Sequence, residues 1–336
     1  MFIIMILLFV FVILFLVPLP NRISAELLYF REIALPGKPE DIEGDNIVGS
    51  FWQGKQVGYF SKNGTTTILD APGSNGTFAS GVSGNLVVGT AYFNTGSRGF
   101  IYDGVGYTFI DRGNIPGRGT AKNLEFTAIS GSKIVGHASG LKEYPNESYL
   151  GSFVYENGSF TDVYAPYQGS QIATSSGSAW GIDGDTFLGG RWLGSSNVYF
   201  TKNLITGIYS EIAPLGAESN GTIAGISGGN VLLFKDFYDG SKTFTRGYLG
   251  NAENDYEMVF STQPANSLLN PNTGYDFPVA NASEVEITGI DGTTVVGSYK
   301  ESGVTKFFMA SVPEPSSISL ILAGVPVMMA GRRRRG

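Results

Sequence analysis

The stretch Thr77 to Thr90, TFASGVSGNLVVGT, holds two short apolar runs folded about a Ser83-Gly84 turn, and five relatives of it recur along the chain. Aligned on the turn glycine, the copies are EDIEGDNIVGS with Gly44, ASGVSGNLVVG with Gly84, TAISGSKIVG with Gly131, AWGIDGDTFLG with Gly184, IAGISGGNVLL with Gly228 and ITGIDGTTVVG with Gly292. They follow one another at 40, 47, 53, 44 and 64 residues. A self-similar period of roughly 40 to 50 residues marks stacked or radial repeats, the length of a propeller blade, because one such unit cannot bury its apolar face alone.

Each copy extends into a longer pattern. A third strand follows the opening hairpin: Gln56 to Ser61, Arg98 to Asp103, Gly151 to Glu156, Asn197 to Lys202, Thr245 to Gly250 and Thr305 to Ser311. Asn63-Gly64, Asp103-Gly104 and Asn157-Gly158 then read as two-residue hairpin turns, whose central residues take positive φ. A fourth strand such as Thr65 to Asp70 or Tyr107 to Asp111 runs into Ala71-Pro72-Gly73 or Ile115-Pro116-Gly117, and proline is tolerated where a strand leaves its sheet. Gly 47, Tyr 17 and Phe 23 suit such a chain, with glycine for turns and aromatics for half-buried pleated surface.

The last copy ends at Ser311 without a fourth strand, whereas the chain opens with a lone one in Glu26 to Gly37. Pairing the two would leave no open edge. The expected fold class is therefore all-β, a six-bladed β-propeller of four-stranded blades whose N-terminal strand closes the last blade. An open solenoid and a β-sandwich are the alternatives that the period leaves standing.

Both ends differ from this body. Phe2 to Val17 is almost continuously apolar and is followed by Pro18, Pro20 and Ala25, which fits a signal helix over 1–25 cut by signal peptidase after Ala25, or an uncleaved anchor. Residues 312–336 carry Pro313-Glu314-Pro315, an apolar run from Ile318 to Ala330, and the cluster Arg332, Arg333, Arg334 and Arg335. That run is short for a membrane helix, which needs roughly 17 to 25 residues, and the arginines would hold its end on the cytoplasmic side.

Two resemblances follow. Gly81-Val82-Ser83-Gly84, Val87-Val88-Gly89, Phe100-Ile101-Tyr102-Asp103 and Thr67-Ile68-Leu69-Asp70-Ala71-Pro72-Gly73 resemble the units of extracellular HAF-repeat proteins of bacteria. Repeat five departs most, since Val231-Leu232-Leu233 lacks the glycine. The tail resembles the PEP-CTERM sorting signal. That resemblance implies recognition by an exosortase, cleavage near Pro313 to Pro315, a transient inner-membrane stage, and delivery to the surface of a cell that makes exopolysaccharide. An ordinary carboxy-terminal anchor is the alternative.

No catalytic or cofactor-binding constellation stands out, and no cofactor is expected. The absence of cysteine excludes disulfides, thiolate nucleophiles and thiolate metal sites. The single histidine, His137, reads as a strand-end surface residue. Asp183-Gly184-Asp185 and Asp291-Gly292 read as turns rather than calcium loops, since the equivalent position is serine in three repeats. Residues 26–311 hold 17 Lys and Arg against 28 Asp and Glu, a net charge of −11 that disfavours nucleic acid as a partner.

The meander puts tight turns on one face of the disc and longer loops on the other. Trp52, Tyr144, Arg191, Trp192 and Tyr238 are the candidate ligand residues of the loop face. The expected function is that of a non-enzymatic surface or biofilm-matrix protein, with exopolysaccharide as its partner. A propeller enzyme acting on extracellular glycans through two carboxylates is the rival reading, and a periplasmic binding protein that keeps its anchor is a third.

Overall fold

The computed structural model describes residues 29–111, 113–115, 119–141, 149–164, 177–193, 196–212, 221–238, 243–251, 256–261, 279 and 282–311. In chain order the strands are β1 (Tyr29–Ile33), β2 (Lys38–Glu43), β3 (Asn46–Trp52), β4 (Gln56–Lys62), β5 (Thr65–Leu69), β6 (Gly76–Ser83), β7 (Leu86–Phe93), β8 (Gly96–Tyr102) and β9 (Tyr107–Ile110). A short pair, β10 (Asn114–Ile115) and β11 (Gly119–Thr120), precedes β12 (Asn123–Ser130), β13 (Lys133–Leu141), β14 (Tyr149–Glu156) and β15 (Ser159–Val163). Then come β16 (Gly177–Asp183), β17 (Thr186–Leu193), β18 (Ser196–Asn203), β19 (Tyr209–Ile212), β20 (Gly221–Ser227), β21 (Asn230–Tyr238), β22 (Thr243–Asn251) and β23 (Tyr256–Ser261). The last three are β24 (Ser283–Asp291), β25 (Thr294–Glu301) and β26 (Val304–Ser311).

The described residues are all-β and form a propeller arrangement of antiparallel meanders. Four sheets, rather than the six expected, stand alone as four-stranded units: β2 to β5, β16 to β19, β20 to β23, and β24 to β26 with β1. The other eight long strands share one sheet, in which the meanders β6 to β9 and β12 to β15 are joined by a single parallel pair, Asn123 with Ser97. The cause of the join is local. Asn123 Oδ1 accepts the Ser97 N–H at 3.2 Å, and a Cβ on Gly96 would lie 2.1 Å from the Lys122 carbonyl, so the two chains run in contact there.

β1 does close the last sheet. Tyr29 to Ile33 pair antiparallel with Ser311 to Phe307, so the first described strand completes the meander that the last three begin. Glu32 anchors the seam, accepting from the Tyr299 hydroxyl at 2.5 Å and from Lys306 Nζ at 3.0 Å.

Asn63 and Gly64 take φ of 48° and 76°, and Asn157 and Gly158 take 50° and 81°, as two-residue hairpin turns require. Asp103-Gly104 is different from the expectation: Asp103 Oδ1 accepts the N–H groups of Val105 and Gly106, both at 2.9 Å, and makes a longer Asx-type loop. The pair Ser302-Gly303, at 52° and 81°, supplies a turn that the sequence reading passed over.

The core lies between successive meanders, not inside any one of them. Val48, Phe60 and Leu69 pack on Val82, Val87 and Phe100; Leu232 and Leu249 pack on Ile287, Val295 and Phe308; and Ile42, Ile47 and Tyr59 meet Val296 and Met309, which joins the last meander to the first. Within each meander the second and third strands place a glycine opposite an aromatic ring: Gly49 with Tyr59, Gly89 with Phe100, Gly136 with Phe153, Gly189 with Phe200 and Gly297 with Phe308. The rings lie over the bare glycine, as a Cβ on Gly89 would sit 2.8 Å from Phe100 and 2.0 Å from the Phe78 carbonyl. Such pairs replace the missing side chain with a buried aromatic face. Repeat five breaks the pattern with Leu233 opposite Tyr248, whose ring is only partly buried.

The proposed signal helix, Ala25, Tyr144, the Pro313-Glu314-Pro315 motif and the arginine cluster lie outside the described residues. Among the described residues no helix is long and apolar enough to cross a membrane.

Candidate functional site

Every innermost strand carries a β-bulge at the same place. The register slips between Pro39 and Asp41, Ala79 and Gly81, Phe126 and Ala128, Ala179 and Gly181, Ile223 and Gly225, and Ile287 and Gly289. A bulge re-aims one side chain out of the ladder. The six re-aimed residues are Glu40, Ser80, Thr127, Trp180, Ala224 and Thr288, and all of them line one central cavity of about 120 Å³. Below them the wall includes Asp41, Glu43, Asp183 and Asp291, and among the described residues no basic side chain lines it.

The residue after the bulge is glycine or alanine in five copies, because the strands approach closely there: a Cβ on Gly289 would stand 2.8 Å from the Asp41 Cα. Asp41 is the exception. Its carboxylate reaches the neighbouring strand, where Oδ2 accepts the Val82 N–H at 2.9 Å.

Burial pushes the Asp41 carboxyl up to about 7, with Glu43 and Asp291 adding like-charge repulsion and the N–H groups of Val82 and Ile42 opposing. Burial likewise raises Glu40 to about 7, aided by Glu286 and opposed by Lys38. The cavity thus holds two adjacent carboxyls that exchange protons near neutrality, which is acid–base capacity. Its volume falls below the roughly 300 Å³ at which small-molecule pockets begin and suits about four water molecules. Among the described residues no group of three or more His, Cys, Asp or Glu side chains is placed to hold a metal ion.

At the rim of the cavity the tight turns are tied in sequence. Gly84 N–H donates to Glu43, Gly131 N–H to Ser83 Oγ at 3.1 Å, and Gly184 N–H to Ser130 Oγ at 3.0 Å. Gly229 N–H then donates to Asp183 Oδ2 at 3.1 Å, Gly292 N–H to Ser227 Oγ at 2.8 Å, and Gly44 N–H to Asp291 Oδ2 at 2.7 Å. Each turn's leading side chain caps the turn of the next repeat, and the cycle closes on itself. Sequence reasoning took Asp183 and Asp291 for plain turns. The available signal was that Glu, Ser and Asp, all side-chain oxygen acceptors, alternate at one position before the glycine.

The candidate ligand residues separate. Trp52, at the end of β3, is 73% exposed. Arg191 is 3% exposed and paired with Glu211, which takes it off the open face. The reason is register: Arg191 occupies the strand position of Ala91, Ala138 and Tyr299, all buried. Trp192 sits on β17 opposite Asn197, and Tyr238 ends β21 opposite Thr243. His137 lies mid-strand on β13 rather than at a strand end, with Nε2 at 3.2 Å from Glu125 Oε2, and that contact holds the Glu125 carboxyl below its usual range. A second, open depression of about 580 Å³ lies by the turns of β4–β5 and β8–β9, where Lys62 is bonded to Asn85 at 2.5 Å and Asp103 is engaged by its own loop.

No protein-family model matches the chain, and no curated protein matches it. Among solved structures it is similar to the β-propeller domain of the Trilobed protease from Pyrococcus furiosus, with a TM-score of 0.45 and 13% identity over 82% of this chain and 80% of that one. A Trypanosoma rangeli sialidase in complex with the inhibitor DANA gives 0.46 and 9%, over 89% of this chain and 58% of the sialidase. An oligogalacturonate lyase in complex with manganese gives 0.39 and 11%, over 85% and 90%.

Proposed function

We propose that the chain is an exported six-bladed propeller, sorted to the cell surface through its carboxy-terminal segment, whose body is a non-enzymatic binding and structural module associated with exopolysaccharide. The six-blade count treats the eight-stranded sheet as two blades touching at one residue pair; six bulges and a cycle of six turn caps support it. One observation carries the functional reading. The ring is closed around a cavity of about 120 Å³, too small to admit a polymer, so only the outer faces remain for binding.

In this reading signal peptidase cuts after Ala25, an exosortase acts at Pro313-Glu314-Pro315, and Arg332 to Arg335 hold the tail at the inner membrane until then. Mixing the full-length protein with the host's exopolysaccharide, and following co-sedimentation with polymer length, tests the body. Bound, unshortened polymer is the expected result. The mass of the surface protein tests the tail, since retention of residues 318–335 contradicts processing.

The second reading, a propeller enzyme acting on glycans, is favoured by the adjacent Glu40 and Asp41 carboxyls held near neutrality. Polymer shortened by the wild type and spared by Glu40→Gln would establish it over the first.

A further inference from the structure

We propose that Trp52 and Tyr92 form an aromatic strip on the loop-bearing face, and that this strip stacks the pyranose rings of an uncharged polysaccharide. The inference deepens the binding-module reading above and rests on it.

Trp52 is 73% exposed and Tyr92 41%, and large apolar side chains left open together on a folded surface mark an interaction site. They occupy the same position on the second strand of consecutive meanders, four residues after Val48 and Val88. Trp192 holds that position four residues after Leu188, whereas Ser139, Asp236 and Lys300 hold it elsewhere. The strand positions that carry the two rings are linked across the join between meanders through Gln56 and Gly76. Trp52 pairs with Gln56, Tyr92 pairs with Gly76, and a Cβ on Gly76 would stand 3.5 Å from the Gln56 Cβ and 3.8 Å from Tyr92 Cδ2. Gly76, which has no side chain, lets the two meanders meet closely beside the Tyr92 ring.

Asn75 Nδ2 donates to Asn94 Oδ1 at 2.7 Å, a bond that leaves each amide further donor or acceptor capacity. Nearby, Lys55 pairs with Asp70 at 2.7 Å and Arg98 with Asp111 at 3.2 Å, while burial and the Glu125 carboxylate raise the Tyr92 hydroxyl above its usual range. The strip offers ring faces and amides beside the Glu125 carboxylate, which disfavours an anionic polymer. A pyranose presents an apolar C–H face to the electron-rich face of an aromatic ring and hydroxyls at its rim, which suits this pattern. Single-stranded nucleic acid also stacks on such rings, but it needs free cations along its phosphates.

Affinity electrophoresis of the full-length protein tests the assignment, using hydroxyethyl cellulose and dextran as uncharged polymers, polygalacturonate as an anionic one, single-stranded DNA, and the host exopolysaccharide. The wild type is expected to be retarded by an uncharged polymer. Trp52→Ala should weaken that retardation about tenfold and Trp52→Ala with Tyr92→Ala should remove it, with Trp52→Phe retaining most of it. Thermal midpoints of all variants should stay with the wild type, because the rings are exposed. If the double variant binds as tightly as the wild type, or if only polygalacturonate or DNA retards the protein, the strip is wrong. If host polymer still binds in those cases the binding-module reading survives, and if no polysaccharide binds the wild type both fall.

Discussion

Asp291 Oδ2 accepts the backbone N–H of Gly44 at 2.7 Å, a bond between residues 247 apart in the chain. It is the link that turns a row of turn caps into a closed cycle. The same seam holds the Lys38–Glu286 ion pair at 2.6 Å and the β1–β26 ladder, so closure is secured at the rim, between inner strands and at the outer edge. At the junction β1 covers β26, so the edge that remains is one short five-residue strand, less of a hazard than the long edge an open row of meanders would carry.

Removing the cap at the seam should weaken the whole ring. Asp291→Ala deletes a charged acceptor and leaves the Gly44 N–H to water, at a cost of about 1–2 kcal/mol. Asp291→Ser should recover most of it, since serine makes the same bond from Ser130 to Gly184. Urea denaturation midpoints of the two variants check this, and equal losses would count against the cap.

The glycines opposite the buried aromatics are fixed by space. A Cβ on Gly297 would lie 2.2 Å from the Glu286 carbonyl oxygen and 2.9 Å from the Phe308 ring. Gly297→Ala should therefore cost about 3 kcal/mol, as overpacking against backbone does. Thermal unfolding of this variant beside a surface Gly-to-Ala control would measure it.

Stability should fall as the solution becomes less acidic. The Glu40 and Asp41 carboxyls have ordinary values of 4.5 and 3.8 and stand at about 7 in the fold. Between about pH 4 and 7 the native protein binds more protons than the unfolded chain, so the stabilisation present below 4 is lost on the way to 7 and is flat above it. The lowered Glu32 and Glu125 carboxyls act in the opposite sense, at lower pH. Asp41→Asn, which keeps an acceptor for the Val82 N–H, should be about 1–2 kcal/mol more stable than the wild type at pH 8 and no more stable at pH 4. Midpoints measured across that range decide it.

Arg191 should matter for folding and not for ligands. Arg191→Ala empties a buried site and loses the packing of the arginine stem, while Glu211, 45% exposed, turns to water; the cost should be about 1–2 kcal/mol. Polysaccharide retardation at a temperature where the variant remains folded should match the wild type, in contrast with Trp52→Ala.

Much of the architecture was legible because it is written in local chemistry. Asn63-Gly64 and Asn157-Gly158 declare their turns through positive φ, the six glycine-centred hairpins declare the repeat, and the unpaired first strand declared the partner that β26 provides. The central site was not legible. Glu40 and Asp41 look like two ordinary acids in KPEDIE, and only the bulge between Pro39 and Asp41 turns one to the cavity while the other spans to Val82. Asp103-Gly104 misled for a related reason: the aspartate's own side chain captured the backbone N–H groups that a two-residue turn would have used.

By itself the sequence determined the strands, the turns and the order in which meanders follow one another, since alternation, glycine φ and proline placement act over a few neighbouring residues. Only the tertiary structure decided which carboxyls are buried, which turn residues cap the next repeat, and that Arg191 faces inward while Trp52 faces water. Those outcomes depend on contacts between residues 20 to 248 apart, such as Arg191 with Glu211 and Lys38 with Glu286, and on how much water each pair loses when the ring closes.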